Sequence, residues 1–383
     1  MSGKLTLFPQ FYLNSSSILI LKVFAILHRS FGLEFAYLSH KTDDDKYFRA
    51  AEDIFHHVIK KNTRESQVRK SNLVPSSWNV MDGKPLNQGT SLGSGSDSFY
   101  EYLMKVPLLL RMGMNDDILG YQQIFHQVIH ESFLSKSSHH ILESHCNQTG
   151  EDGCFFPVDN RNTYQHLLCY LPGTILLAGN HTKKYYSEYL NLAEKLIVGC
   201  HSTYNQSKTG LGAERIQIKG SNVLPLDKGY YLRPEFVESL FILYRMTKDE
   251  RYQEIAWNVF MNIEKHCKTD IGYSGLLDVD DTKEQKDEQP SFFIGETLKY
   301  LLLIFAPDDY VDLDDYVFTT EAHPLRKVDT DSRDSTCKIL DNNRIRQPIS
   351  IIFSMAGNAI IVSILILFWK SKTFVTHRHK KVH

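Results

Sequence analysis

The chain has 383 residues, of which 42% are apolar, 12% aromatic and 23% charged, a globular composition that excludes a wholly disordered, collagen-like or disulfide-framework protein. Its formal net charge of −2 lacks the basic excess of a polyphosphate binder, so no nucleic-acid partner is expected. Six cysteines over this length neither demand nor forbid disulfides.

Residues 1–31 form an apolar segment apart from the rest. Within it, Ile18–Leu27 has the length of a signal-peptide core, but Lys22 interrupts it and no small-residue cleavage site follows, so it reads as a buried helix. From 32 to 325 the chain repeats. Thr42-Asp-Asp-Asp45, Asn115-Asp-Asp, Asn180-His-Thr and Thr247-Lys-Asp-Glu250 are helix-start signals, the last with capping-box spacing. Each leads into a helical pattern, as in Tyr252, Ile255, Ala256, Val259 and Phe260. Each is preceded by a more apolar helix: Leu33–Leu38, Phe99–Leu110, Leu171–Ala178 and Phe236–Met246, with a fifth at Phe292–Phe305. A period near 65 residues predicts an array of about five helical hairpins. The long loops between hairpins are expected on one face, where each first helix begins, and loops of that length are usually functional. Gly272–Leu277 is the one candidate for a short ribbon.

A polar linker (326–348) leads to Ile349–Trp369, 21 residues without a charge, long enough to cross a hydrocarbon core of roughly 30 Å. The tail, 370–383, carries Lys370, Lys372, Arg378, Lys380 and Lys381 and no acid, which places it on the cytosolic side. Lys380-Lys381 near the end resembles the dilysine retrieval signal of endoplasmic reticulum membrane proteins. Sequons at Asn14, Asn147, Asn180 and Asn205 suit a lumenal body. The expected protein is single-pass in the endoplasmic reticulum membrane.

Acids and one histidine recur at or beside the starts of the first helices: Glu34, Asp97, Glu101, His166, Glu235, Glu238 and Glu296. Any one acid is explained by the positive end of a helix dipole. Several at equivalent places in an array would instead converge on one pocket, the arrangement that sugar-cleaving sites need. Glu235 and Glu238, three apart, share a helical face.

Five blocks carry a resemblance: GSGSDSFYEYLMK (93–105), HLLCYLPGT (166–174), YLRPEFVESLFILYR (231–245), SFFIGETLKYLLLIF (291–305) and YVFTTEAHPL (316–325). In order and spacing they resemble glycoside hydrolase family 47, which holds the class I α-1,2-mannosidases and the endoplasmic reticulum degradation-enhancing mannosidase-like proteins. The resemblance implies an all-α fold of the (αα)7-barrel type and Ca²⁺-dependent, inverting hydrolysis of terminal α-1,2-mannose from Asn-linked high-mannose glycans. By motif position, Glu235 would be the base and Asp97 a second essential acid. Glu34, His166, Arg233, Glu238, Phe292, Glu296 and Glu321 would bind the sugar, and Thr320 the Ca²⁺. Cys169 and Cys200 would form a family disulfide, which implies an oxidising lumen, while Cys146 and Cys154 could close a short loop.

Two departures shape the expectation. The family's first block, whose glutamate is the general acid, has no counterpart before Leu33, so the barrel is expected to be incomplete, with about five of seven hairpins. Gly95 stands where processing enzymes of the endoplasmic reticulum type carry a branch-selecting arginine. Beside the mannosidase, the resemblance therefore allows a catalytically impaired mannose-binding adaptor working with quality-control proteins, or an inactive truncated form.

Overall fold

The computed structural model describes residues 31–69, 73–79, 83–86, 90–112, 120–134, 153–154, 163–219 and 222–328. The apolar start, most of the polar linker, the expected membrane helix at 349–369 and the basic tail lie outside the described residues. Among those described, no helix is long and apolar enough to cross a membrane.

The hairpins are built from α1 (Gly32–Thr42) with α2 (Lys46–Arg69), α3 (Asp97–Leu109) with α4 (Tyr121–Ile129), α5 (Leu171–Thr182) with α6 (Tyr186–Asn205), and α7 (Glu235–Thr247) with α8 (Arg251–His266). A fifth inner element is a π-helical turn, Phe293–Thr297, running into α9 (Leu298–Leu303). The repeat is written in the backbone as well as in the pattern. The first helix of each two-helix unit is followed by a residue with positive φ: Asp43 (53°), Arg111 (51°), Lys183 (55°) and Lys248 (61°). In the left-handed conformation such a residue ends a helix and reverses the chain. None of the four is glycine, so each accepts a backbone cost that the packing around it must offset.

The expected start signals are shifted. Thr42 and Thr247 close the preceding helices, their hydroxyls donating to the Leu38 and Leu243 carbonyls at 2.8 and 2.7 Å. The capping box at Thr247–Glu250 does not form. The Asp44 and Asp249 carboxylates instead accept the Lys46 and Arg251 amides at 3.1 and 3.0 Å, a local carboxylate-to-backbone bond that competes well at a turn.

The inner helices are packed by burial rather than by propensity. Every residue of α3 from Phe99 to Leu109 is buried, and 13-residue helices are marginal alone in water. Each fully buried Leu, Phe or Val contributes about 1.5–3 kcal/mol, far above the tenths that separate helix formers. α1, α3, α5, α7 and α9 touch in that order, and α6 and α8 lie on α5 and α7. Gly173 allows α5 to approach α7 closely, its amide bonded to Ser239 Oγ at 3.0 Å.

The fold is mostly helical, with a correction to the all-α expectation. Three small antiparallel sheets lie in the connections: β1 (Thr163–Gln165), β2 (Arg215–Lys219) and β3 (Asn222–Asp227); β4 (Leu276–Asp278) and β5 (Asp281–Gln285); β6 (Tyr316–Phe318) and β7 (Pro324–Arg326). The ribbon expected at Gly272–Leu277 is present in part, as the Lys268–Tyr273 bridge and the start of β4. β1 runs straight into the turn before α5, and β3 precedes α7. β6 packs on α3, and the Val328 amide donates to the Leu109 carbonyl at 2.7 Å.

Candidate active site

The starts of α3, α5 and α7 bring three of the sequence-derived residues together. His166 opens a 3₁₀ turn (His166–Tyr170) that leads directly into α5. It is 2% exposed, with Nε2 at 2.6 Å from the Tyr204 hydroxyl and Nδ1 at 3.3 Å from Glu235 Oε2. Glu235 is the first residue of α7, yet its Oε2 caps no amide and has no hydrogen-bond partner. Capping therefore does not account for it. Asp97 opens α3 and accepts the Ser98 amide at 2.9 Å. Burial, with the Glu235 charge adding to it, pushes the Asp97 carboxyl up to about 6, so it holds a proton far more readily than an ordinary aspartate. Arg233 lies at the rim, with Nε on Glu214 Oε2 at 2.6 Å.

The backbone around these residues is strained. Leu232, three residues before Glu235, is buried with φ at 59°, and Ala322, two after Thr320, has φ at 55°. Strain of this kind concentrates where surrounding structure fixes a functional geometry. The Thr297 hydroxyl, from the π-helical turn, donates to the Leu232 carbonyl at 2.7 Å. Lys299 Nζ donates to the Ala322 carbonyl at 2.7 Å. Gly95 has φ at 85°, a conformation that an arginine at this position would resist.

A second group gathers around the β6–β7 loop. Glu34, in the first turn of α1, accepts the Tyr102 hydroxyl at 2.9 Å, while its Oε2 is buried without a partner. That same Tyr102 hydroxyl lies 3.4 Å from both the amide and Oγ1 of Thr320. Burial raises the Glu34 carboxyl, and the Glu321 charge raises it further. Glu296 is pushed up to about 9 by burial and then by Glu321, Glu238 and Glu235. Glu321 is thus repelled by both Glu34 and Glu296, and links the two groups electrostatically. Phe292 is half-buried at the start of the π-helical turn, and Glu321 is exposed.

One turn below Glu235, Glu238 belongs to a buried ion network. Lys105, 1% exposed, contacts Glu101 Oε2 and lies 3.2 Å from Glu238 Oε1. The Tyr300 hydroxyl reaches the same Glu238 oxygen at 3.3 Å. Burial works against the Lys105 ammonium, but the two carboxylates outweigh it and raise its hold on the proton. Glu101 is raised by burial, opposed by Lys105.

Cys169 and Cys200 form the expected disulfide, with Cα atoms 5.9 Å apart. Cys154 is also disulfide-bonded, and Cys146 lies outside the described residues. Sequence reasoning missed Tyr102, Lys105, Glu214 and Tyr204 as site neighbours. Lys105 could have been found, since it follows Asp97 and Glu101 at successive four-residue steps in an otherwise apolar helix.

Hairpins of this kind bring acids and a histidine together at the inner-helix starts. The profile described as glycosyl hydrolase family 47 matches residues 26–327, and the chain belongs to that family. It is 34% identical over 317 residues to mannosyl-oligosaccharide alpha-1,2-mannosidase IA of Drosophila melanogaster, covering 80% of this chain and 44% of that protein. It is 33% identical to the human endoplasmic reticulum mannosyl-oligosaccharide 1,2-alpha-mannosidase, covering 77% and 42%. The chain thus spans about half the length of the curated relatives it matches. The alpha-1,2-mannosidase from Trichoderma reesei has a similar fold, with a TM-score of 0.64 at 24% identity over 79% of this chain and 66% of that one.

Proposed function

We propose that the chain carries the site of an α-1,2-mannosidase, which trims terminal mannose from Asn-linked high-mannose glycans on glycoproteins with inversion at the anomeric carbon. The observation that carries the reading is the pairing of Glu235, whose buried Oε2 caps no amide, with Asp97, raised to about 6. A carboxylate beside a second acid with a raised hold on its proton is an arrangement that glycoside hydrolysis uses. Glu235 takes a proton from a water as its oxygen attacks the anomeric carbon. The departing sugar oxygen takes a proton in turn, and Asp97, able to hold one near neutrality, supplies or steers it. Glu34, His166, Arg233, Glu238, Phe292, Glu296 and Glu321 surround the terminal mannose.

Calcium fits this chamber. Glu321 repels both Glu34 and Glu296, and Glu34 keeps an unpartnered buried oxygen. Thr320 beside them offers hydroxyl and carbonyl oxygens, the donors a hard cation prefers. Among the described residues no three His, Cys, Asp or Glu side chains form a metal cage, so Thr320 and water would hold the ion, with the carboxylates outside. When bound, it would supply positive charge to orient the sugar hydroxyls. The relatives' names favour the endoplasmic reticulum as the place of action, with a lumenal body that agrees with the disulfides.

The test is mannose release from a high-mannose glycan by the full chain, with and without Ca²⁺. Calcium-dependent release that Glu235→Gln lowers by about 10²- to 10⁴-fold supports the enzyme. Glycan binding without release would refute it and favour the adaptor.

A further inference from the structure

We propose that Tyr204 is a positioning residue: its hydroxyl donates to His166 Nε2 and so holds the imidazole with its Nδ1–H aimed at Glu235. The proposal deepens the mannosidase reading and rests on Glu235 as its base.

For a neutral imidazole the geometry selects one tautomer. Glu235 Oε2, 3.3 Å from Nδ1, can only accept while it is ionised, as a base must be. A neutral imidazole has one N–H. Placed on Nε2, it would leave the Nδ1 lone pair against a carboxylate. Placed on Nδ1, it faces the carboxylate and leaves the Nε2 lone pair to be met by a donor. The Tyr204 hydroxyl is that donor, at 2.6 Å. Burial, and then Tyr230 and Glu235, hold the Tyr204 phenol well above its ordinary value, so the proton it must donate is retained. Neither Nδ1 nor Oε2 has a hydrogen-bond partner. They are close without being aligned, and a small turn of either side chain makes the bond.

Tyr204 is built to stay where it is. Its ring lies on Phe236, the neighbour of Glu235, with centroids 4.4 Å apart, and edge-on to Tyr230 at 6.3 Å. Gly212 leaves room for the ring: a Cβ there would fall 2.6 Å from Tyr204 Cε2. Cys200, one turn earlier on α6, is bonded to Cys169, which sits in the turn that carries His166. The disulfide therefore ties together the two segments that supply the hydrogen bond. Such partners set which imidazole nitrogen carries the proton and where the ring points.

The experiment uses the full chain labelled with ¹⁵N-histidine, with His166→Asn to assign the resonances. The wild type should show Nδ1 protonated and Nε2 bare and hydrogen-bonded. In Tyr204→Phe the Nε2 resonance should move toward that of an unbonded bare nitrogen, and the Nδ1 proton should exchange at least about tenfold faster. On a high-mannose glycan kcat should fall about tenfold to a hundredfold with KM within about twofold, because Tyr204 holds the base and does not touch sugar. A wild-type His166 protonated on Nε2 overturns the proposal, and that spectrum decides even if the phenylalanine variant does not fold. Unchanged exchange or unchanged kcat in Tyr204→Phe also overturns it. A wild type that releases no mannose refutes the mannosidase, while the spectra still decide the role of Tyr204.

Discussion

Lys105→Met removes the cation between Glu101 and Glu238, whose side chains are 6% and 9% exposed. Breaking a buried pair by deleting one partner costs about 3–5 kcal/mol, a large part of a total stability of about 5–15 kcal/mol. The variant can relieve the unpaired charge by taking up one proton. Holding a carboxyl protonated against an unfolded value near ~4.3 costs about 3.7 kcal/mol at pH 7 and about 1 kcal/mol at pH 5. The extra proton is bound in the folded state, so the variant loses stability relative to wild type as pH rises. Urea unfolding at pH 5 and pH 7 should show the gap widening, by less than about 3 kcal/mol because Glu101 is already raised in the wild type. In Lys105→Met/Glu238→Gln most of the loss should be recovered, and the gap should lose its pH dependence. A gap equal at both pH values, or no recovery in the double variant, would refute a charged network and leave Lys105 a packing residue.

Asp97 and Glu296 are raised from 3.8 and 4.5 to about 6 and about 9, so the folded chain keeps protons that the unfolded chain releases. Their contribution to stability is complete at low pH and is lost as pH rises, first through about 6 and then through about 9. Wild-type unfolding free energy should therefore decline from the unfolded values of about 4 up to about 6 for Asp97 and about 9 for Glu296, by up to about 1.4 kcal/mol per pH unit per titrating group. In Glu296→Gln the decline above pH ~7 should be weaker when followed by urea melts. Gly173→Ala tests the approach of α5 to α7, because the added Cβ would lie 2.9 Å from Ile242 Cδ1 and 3.2 Å from Ser239 Cα. The helix-propensity gain of about 1 kcal/mol is outweighed by an overpacking cost of about 1–3 kcal/mol, so calorimetry should show a lower melting temperature.

The hairpins were legible because burial imposes a period. The inner helices must be apolar on nearly every side, and the turns between helices must return at a nearly constant interval. The acids at Glu34, Asp97, Glu235 and Glu296 were legible for the same reason, since equivalent places in a repeat are equivalent places in space. What the pattern could not reveal was contact between elements. Tyr204 sits near the end of an outer helix, on an apolar stripe where any large residue would fit. Only the fold places its hydroxyl against His166, 38 residues earlier. The β2–β3 ribbon had a signal that went unread: Ile216 and Ile218 alternate with Arg215, Gln217 and Lys219 before a Gly-Ser pair.

That difference explains where the chemistry is held. The acids arrive by repetition, each carried to the chamber by the start of its own inner helix. The parts that fix the surrounding geometry are not repeated: Tyr204, on His166, comes from the end of an outer helix, Tyr102, on Glu34, from the second turn of α3, and Lys299, on the Ala322 carbonyl, from the opening turn of α9. Orienting a side chain requires a polar partner of the right reach and angle, and four hairpins and a fifth inner element with different connections meet that need differently. A repeat can therefore set the position of a carboxylate to within a turn, while its orientation depends on single residues outside the repeat. Substitutions at those residues should alter turnover more than substrate affinity, and substitutions in the repeated core should alter stability before either.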